Sequence, residues 1–247
     1  MVDLKRISTD PPGDIKKEKA EEERLEHLDR IAELQTRLFA SKEKAILIIL
    51  QGMDTSGKDG TVKNLFTVLN PLGCTCAAWK VPTEEEQSHD FLWRIHKAVP
   101  AKGMIQVFNR SHYEDIVVPL VKKSIGEKRI RNRLDTISAF ERLLSEENST
   151  LVLKFFLHIS KEEQSTRIEK RLEDPRKKWK FDPSDLIAHS LYEEHLNAYS
   201  EILDYSFEVS PWRVVPADKK WYRDFLIAKI LREEMEKMDL KYPPFPA

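Results

Sequence analysis

From Ala45 onward, short apolar runs alternate with longer stretches whose apolar residues recur every three or four positions. That alternation is the signature of a parallel sheet buried on both faces by helices. The runs predict strands over residues 45–51, 75–80, 104–109, 151–158 and 213–216, and the stretches between them predict helices over 59–69, 87–98, 129–146, 161–173, 184–203 and 220–238. Five strands with helical crossovers make an open α/β fold. Before Ala45 the pattern changes. Residues 1–13, with Pro11, Pro12 and Gly13, read as an irregular arm, and residues 14–39 read as a charged amphipathic helix with Leu25, Leu28, Ile31, Leu34 and Leu38 on one stripe. Too few heptads are present for a coiled coil. The stripe therefore packs either on a partner subunit's helix or on the domain's own surface.

Length and composition narrow this picture. A chain of 247 residues fits one sizeable domain with a helical appendage. The division expected is an arm and helix over 1–44 followed by a single domain over 45–247, with no Gly/Ser linker inside it. An apolar content of 40% supports a globular chain and excludes disorder throughout. The longest unbroken apolar run, residues 45–50, is far short of the roughly 20 needed to cross a bilayer. With no apolar core of a secretory signal near the N-terminus, the expected location is cytoplasmic. Cys74 and Cys76, two apart in a predicted strand, are too few for a closed zinc site and are expected to be packing residues.

Only 7 residues are Gly, and three of them, Gly52, Gly57 and Gly60, fall within nine positions at the end of the first strand. The stretch GMDTSGKDGT contains the G-x-x-x-x-G-K core of a P-loop between a buried strand and a helix start, the setting that motif requires. Glycine lets the backbone curl so that successive N–H groups of Thr55, Ser56, Gly57, Lys58, Asp59, Gly60 and Thr61 can face one anion; the helix N-terminus and Lys58 add positive charge. The hydroxyl that usually follows the Lys and holds Mg2+ is replaced by Asp59, with Thr61 two positions later. A carboxylate inside the loop would repel phosphates unless a cation lay between them, so Asp54 is the expected metal ligand.

The third strand ends in FNRSHYED, and residues just past strand C-termini face the ligand crevice of an open α/β sheet. Asn109 and Arg110 are thereby expected beside the P-loop, where Arg110 can stabilise charge on a transferring phosphoryl group. A further metal ligand would come from Glu114 or Asp115, or from Asn109 through a bound water. The net charge of −1 conceals local bias: residues 167–180 sum to +4 and residues 122–133 to +5, leaving −10 on the rest. Two cationic segments on an acidic background suit a polyanionic ligand. A nucleic-acid partner is disfavoured at that net charge.

The motifs GMDTSGKDGT, VPTEEEQSHDFLWR, FNRSHYED, EEQSTRIEKRLEDPRKKWKFDPSDL and SPWRVVPADKKWYR, in this order, resemble the polyphosphate kinase 2 family, most closely its class III members. The resemblance covers about residues 45–243. It implies a P-loop kinase-like three-layer α/β fold with a parallel five-stranded sheet, an N-terminal helix and a helical lid over about 167–183. It also implies a homo-oligomer, dimer or tetramer, and Mg2+ as cofactor, with Mn2+ as a substitute. The implied reaction moves a phosphoryl group between inorganic polyphosphate and nucleoside mono- or diphosphates, AMP and ADP first and guanine nucleotides as further acceptors. Asp54, Lys58 and Arg110 become the catalytic residues, Arg167, Arg171, Lys177, Lys178 and Lys180 the lid's phosphate contacts, and Asp90, Arg94 and Asn109 the acceptor-nucleotide contacts. An ATP-dependent nucleotide kinase on the same scaffold would use the same loop and lid. A nucleotide-binding switch is a more distant reading, because no N-K-x-D base-reading motif occurs.

Overall fold

The computed structural model describes residues 2–176, 178–205 and 209–244. Five strands, β1 (Ala45–Gln51), β2 (Cys74–Ala78), β3 (Ile105–Asn109), β4 (Thr150–His158) and β5 (Trp212–Pro216), form one parallel sheet in the order β2-β3-β1-β4-β5. Central β1 is buried at all seven positions, as an unbroken AILIILQ run requires when both faces are covered. The chain leaves β1 for the edge, returns through β3, then crosses to β4 on the other side. The crevice at the strand C-termini therefore opens between β1 and β3.

Leu47, Ile49, Phe108, Val152 and Phe156 face a layer made by α5 (Glu114–Lys122), α6 (Glu127–Asn148) and α9 (Tyr192–Asp204). The opposite face, with Ile46, Ile48, Val107, Leu153 and Phe155, packs on α1 (Lys17–Ser41), α2 (Lys58–Phe66) and α10 (Lys220–Lys237). Helix α1 is thus part of the protein's own layer. Leu28, Ile31, Leu34 and Leu38 are buried against the sheet and α10, while Leu25 at the head of the stripe is exposed.

Helical boundaries differ from expectation where local hydrogen bonding overrides periodicity. The helix expected over 87–98 is two single turns, α3 (Glu84–Gln87) and α4 (Trp93–His96). A capping box from Thr83 to Glu86 starts the first early, and the Asp90 carboxylate accepts the Leu92 N–H at 2.9 Å between them. The helix expected over 184–203 breaks at Leu191 into α8 (Pro183–Ser190) and α9. Helix α5 went unrecognised because Pro119 sits inside it. The N-terminal arm is ordered by burial: Leu4 is fully enclosed, and the His158 Nε2–H faces the carbonyls of Leu4 and Ile7 at 3.0 and 3.1 Å. Cys74 packs in the core as expected. Cys76, on the same face farther along edge strand β2, is exposed, and both thiols are free.

Candidate active site

The P-loop is held in shape from below. Its first glycine, Gly52, has φ +154°, and a side chain there would meet the Leu157 carbonyl at 2.7 Å. Thr55 adopts φ +63°, a left-handed conformation that non-glycine residues enter at a cost of ~1 kcal/mol or more. Two buried arginines stabilise the curl. Arg167, from α7 (Lys161–Glu173), donates from Nη1 to the carbonyls of Thr55 and Ser56 at 3.0 and 3.1 Å, from Nη2 to those of Ala217 and Asp218 at 2.7 and 2.9 Å, and from Nε to Glu163 at 2.8 Å. Arg223, from α10, reaches the Ser56 carbonyl at 3.4 Å and pairs with Asp224. A trans peptide points its N–H opposite its C=O, so drawing the Ser56 carbonyl inward turns the Gly57 N–H outward.

Lys58 opens α2 and folds over the loop, donating to the carbonyls of Gly52 at 2.7 Å and Met53 at 3.1 Å. Burial, reinforced by the nearby Arg110 guanidinium, brings its ammonium down to about 8. The hydroxyls of Thr55 and Ser56 are buried beside it with no hydrogen-bond partner. Orphaned buried hydroxyls are costly, and at a loop of this shape a phosphate oxygen is the ligand that would satisfy them.

Across the crevice, Arg110 follows β3 with φ +63° and forms an ion pair with Asp54. Its other side approaches Glu114 at 3.9 Å, and Glu114 in turn accepts from Gln51 Nε2 at 3.1 Å. Burial disfavours the Arg110 charge, but Asp54 and Glu114 outweigh that effect and raise its pKa. The structure thus brings together Asp54, Lys58 and Arg110. Asp59, standing where a hydroxyl was expected, has its own use: its carboxylate accepts from Asn109 Nδ2 at 2.9 Å and ties the start of α2 to the end of β3. Among the described residues, no three His, Cys, Asp or Glu side chains form a metal cluster.

The remaining expected contacts divide between two places. Asp90 and Arg94 line a cavity of about 570 Å³ beside the P-loop crevice, together with Phe91, Asp115, Arg129 and Arg133. Arg94 is held there by the Lys80 carbonyl at 3.0 Å, Glu86 at 3.3 Å and Asp115 at 3.6 Å, with its guanidinium 5.3 Å from the Trp79 ring centre. Asp115, one of the metal-ligand expectations, faces this cavity and Arg94, and burial raises its carboxyl pKa. Asn109, expected to touch the acceptor, donates one amide N–H to Asp59. Arg129 and Arg133 were missed as individual site residues, although the charge excess of 122–133 marks their segment. They lie one turn apart on α6, and Arg133 sits 5.2 Å over the Phe91 ring.

Among the residues expected to form a lid, Arg167 departs from expectation most clearly. Its N–H groups are all spent on the chain itself, so it supports the loop and has no donor left for a lid contact. Arg171 pairs with Asp185 of α8 at 3.1 Å, and Lys178 is exposed. Lys177 lies outside the described residues, as does the side chain of Lys180. Asp185 is a further carboxylate that the sequence reading missed. Burial first, and the Asp54 charge second, raise its pKa, so the α8 carboxylate and that of the P-loop feel each other's charge. Gln164 joins the two regions, donating to the Asp54 carbonyl at 3.1 Å and accepting from His189 Nδ1 at 2.9 Å.

Comparison with known proteins gives the same picture. The family model for polyphosphate kinase 2 matches residues 14–243. An AMP/ADP-polyphosphate phosphotransferase of Meiothermus ruber is 45% identical over 215 residues, covering 87% of this chain and 80% of that one. An ADP-polyphosphate phosphotransferase of Rhodopseudomonas palustris is 37% identical over 229 residues, covering 87% and 79%. The crystal structure of polyphosphate kinase 2 from Arthrobacter aurescens superposes with a TM-score of 0.95 at 38% identity, covering 99% of this chain and 88% of that one. With the P-loop, the parallel sheet and these matches over most of its length, the chain belongs to the polyphosphate kinase 2 family.

Proposed function

We propose that this protein transfers a phosphoryl group between inorganic polyphosphate and nucleoside mono- or diphosphates, with AMP and ADP as acceptors. The observation that carries this reading is that one turn, residues 110–115, borders two sites that each present arginine side chains. Arg110 and Glu114 face the P-loop, while Asp115 lines the cavity that holds Arg94 and Arg133. Transfer between two phosphate-bearing molecules needs two anion sites that meet at one point.

The loop N–H groups, Lys58 and the hydroxyls of Thr55 and Ser56 hold one run of phosphates. The cavity holds the acceptor, with Arg94 and Arg133 toward its phosphates and Phe91 offering an aromatic face. Arg110 stands where negative charge accumulates on the transferred group, and preorganised by Asp54 and Glu114 it stabilises that charge without reorganising. Phosphoryl transfer through a loose transition state needs positioning and charge neutralisation more than a strong base. Asp54 fits a divalent cation, Mg2+ or Mn2+, which is commonly held by one or two carboxylates plus substrate phosphates and would supply further charge neutralisation. Asp185 is the second carboxylate within reach. Polyphosphate carries no base or sugar, so the exposed cations of the lid region, Lys178 among them, suffice to hold it. No helix among the described residues is long and apolar enough to cross a membrane. Two free thiols suit a reducing compartment, so the reading is of a cytosolic enzyme. The homo-oligomer that belongs to this reading is checked by sedimentation.

The test is to supply purified protein with Mg2+ and AMP or ADP, giving polyphosphate as donor in one reaction and ATP as donor to AMP in another, and to resolve the nucleotides. Product from polyphosphate is expected. Turnover with ATP and AMP alone, and none with polyphosphate, would overturn the reading in favour of an ATP-dependent nucleotide kinase.

A further inference from the structure

Behind the 110–115 turn lies a buried polar cluster that the chemistry above does not use. Lys154 projects from the middle of β4, on the face of Val152 and Phe156, and is fully buried. Its ammonium donates to Glu141 of α6 and to the Tyr113 hydroxyl, both at 2.7 Å. Glu141, also buried, accepts from the Tyr113 hydroxyl at 2.8 Å through one oxygen and from the Ser210 hydroxyl at 2.5 Å through the other; His112 Nε2 stands 3.4 Å away. The Tyr113 ring is fixed edge-on to Trp212, with centroids 4.7 Å apart. Burial alone would raise the Glu141 carboxyl, but Lys154 and His112 outweigh it and bring it down to about 2, while burial lowers Lys154 to about 8.

A buried ion pair is weak ground for stability, since apolar residues of similar volume often serve as well. What such a network does supply is direction. Tyr113 is the residue before α5, and the turn that precedes it is tightly bonded: the Arg110 N–H extends the sheet ladder to the Leu50 carbonyl at 3.0 Å, the Tyr113 N–H bonds the Ser111 hydroxyl at 3.2 Å, and the Glu114 N–H bonds the Ser111 carbonyl at 3.0 Å. Arg110 leaves the strand in a left-handed conformation and Glu114 enters the helix, yet both side chains converge on one site. Two side chains between them reach the far anchor, His112 at 3.4 Å from Glu141 and Tyr113 at 2.8 Å, and Tyr113 alone of the two also bonds Lys154.

We propose that Tyr113, tethered at its hydroxyl by Glu141 and Lys154, is a positioning residue that sets Arg110 and Glu114 against the P-loop. This rests on the reading of Arg110 as a group that acts on the transferred phosphoryl. Loss of the tether lets the turn relax and moves the Arg110 guanidinium off its line, and displacements of about 1 Å can cost up to ~100-fold in rate.

A double-mutant cycle tests it, with Tyr113→Phe, Arg110→Ala and the double variant assayed for kcat and KM and checked for folding by thermal unfolding. Tyr113→Phe is expected to lower kcat about tenfold with the nucleotide KM unchanged. In the Arg110→Ala background, the same change is expected to lower kcat by less than about twofold, because coupled residues are non-additive. Should Tyr113→Phe fail to fold, Glu141→Gln carries the same cycle. Equal losses in both backgrounds would overturn the positioning role alone. Full activity of Arg110→Ala by itself would overturn the reading of Arg110, and this proposal with it.

Discussion

Arg223 occupies the space that a side chain on Gly57 would need: a methyl group at Gly57 would stand 1.8 Å from Nη1 of Arg223. The arginine cannot easily move aside, because it is buried and held by Asp224 and the Ser56 carbonyl. Gly57 also has φ +104°, a conformation that side-chain-bearing residues rarely adopt. Gly57→Ala should therefore destabilise the protein by about 2 kcal/mol or more, measured by chemical unfolding, and lower turnover beyond what the lost stability explains.

Lys58 gives a pH dependence of defined sign. Its folded-state pKa, about 8, lies below the 10.5 of the unfolded chain. Between those values the unfolded state holds the extra proton, so this group makes the protein more stable as pH rises through that window. Phosphate affinity should run the opposite way, weakening as pH passes about 8 and the ammonium loses its charge. Parallel titrations of polyphosphate binding and of unfolding free energy from pH 7 to 10 check both slopes. Lys58→Ala should abolish the binding slope and cost roughly 100-fold in kcat.

Arg167 and Lys178 separate support from contact. Arg167→Lys keeps the charge but offers three donors where five are used, and it should cost about 2 kcal/mol or more of stability. Lys178→Ala, at an exposed position, should leave the thermal midpoint unchanged and raise the KM for polyphosphate. Thermal unfolding and steady-state kinetics of the two variants side by side decide the matter.

Arg133 should discriminate the substrates. Arg133→Ala removes from the cavity the cation that lies over the Phe91 ring, and it is expected to raise the nucleotide KM about tenfold while leaving the polyphosphate KM in place.

Glu141 should report in acid. Its folded pKa of about 2 is depressed from 4.5, so its contribution is fully present above about pH 4.5 and is lost as pH falls through about 2. The thermal midpoint of the protein should fall more steeply over that range than that of Glu141→Gln.

Much of this was legible in the sequence because it depends on local pattern. The unbroken AILIILQ run and the glycines after it specify a buried strand and a phosphate loop, and all five strands fall within a residue or two of expectation. What periodicity missed was decided by hydrogen bonds between distant segments. Arg167 lies in a basic stretch that reads as a lid, yet its partners at Thr55 and Ala217 are about fifty residues or more away in the chain. Asp59 looks like a defect in the motif until its bond to Asn109 is seen. Arg129 and Arg133 register only as a charge excess, because the cavity wall opposite them, around Phe91, comes from another element.

The two bonds of Gln164 join the P-loop to α7 and α7 to α8. Its amide hydrogen holds the Asp54 carbonyl while its oxygen holds His189, and three residues on Arg167 grips the same loop. Helix α7 is thereby riveted to the P-loop and must travel with it. The links from α7 to α8 are of another kind, Gln164 to His189 and Arg171 to Asp185, so a swing of α8 over a bound phosphate would have to part both while leaving the supports of the loop intact.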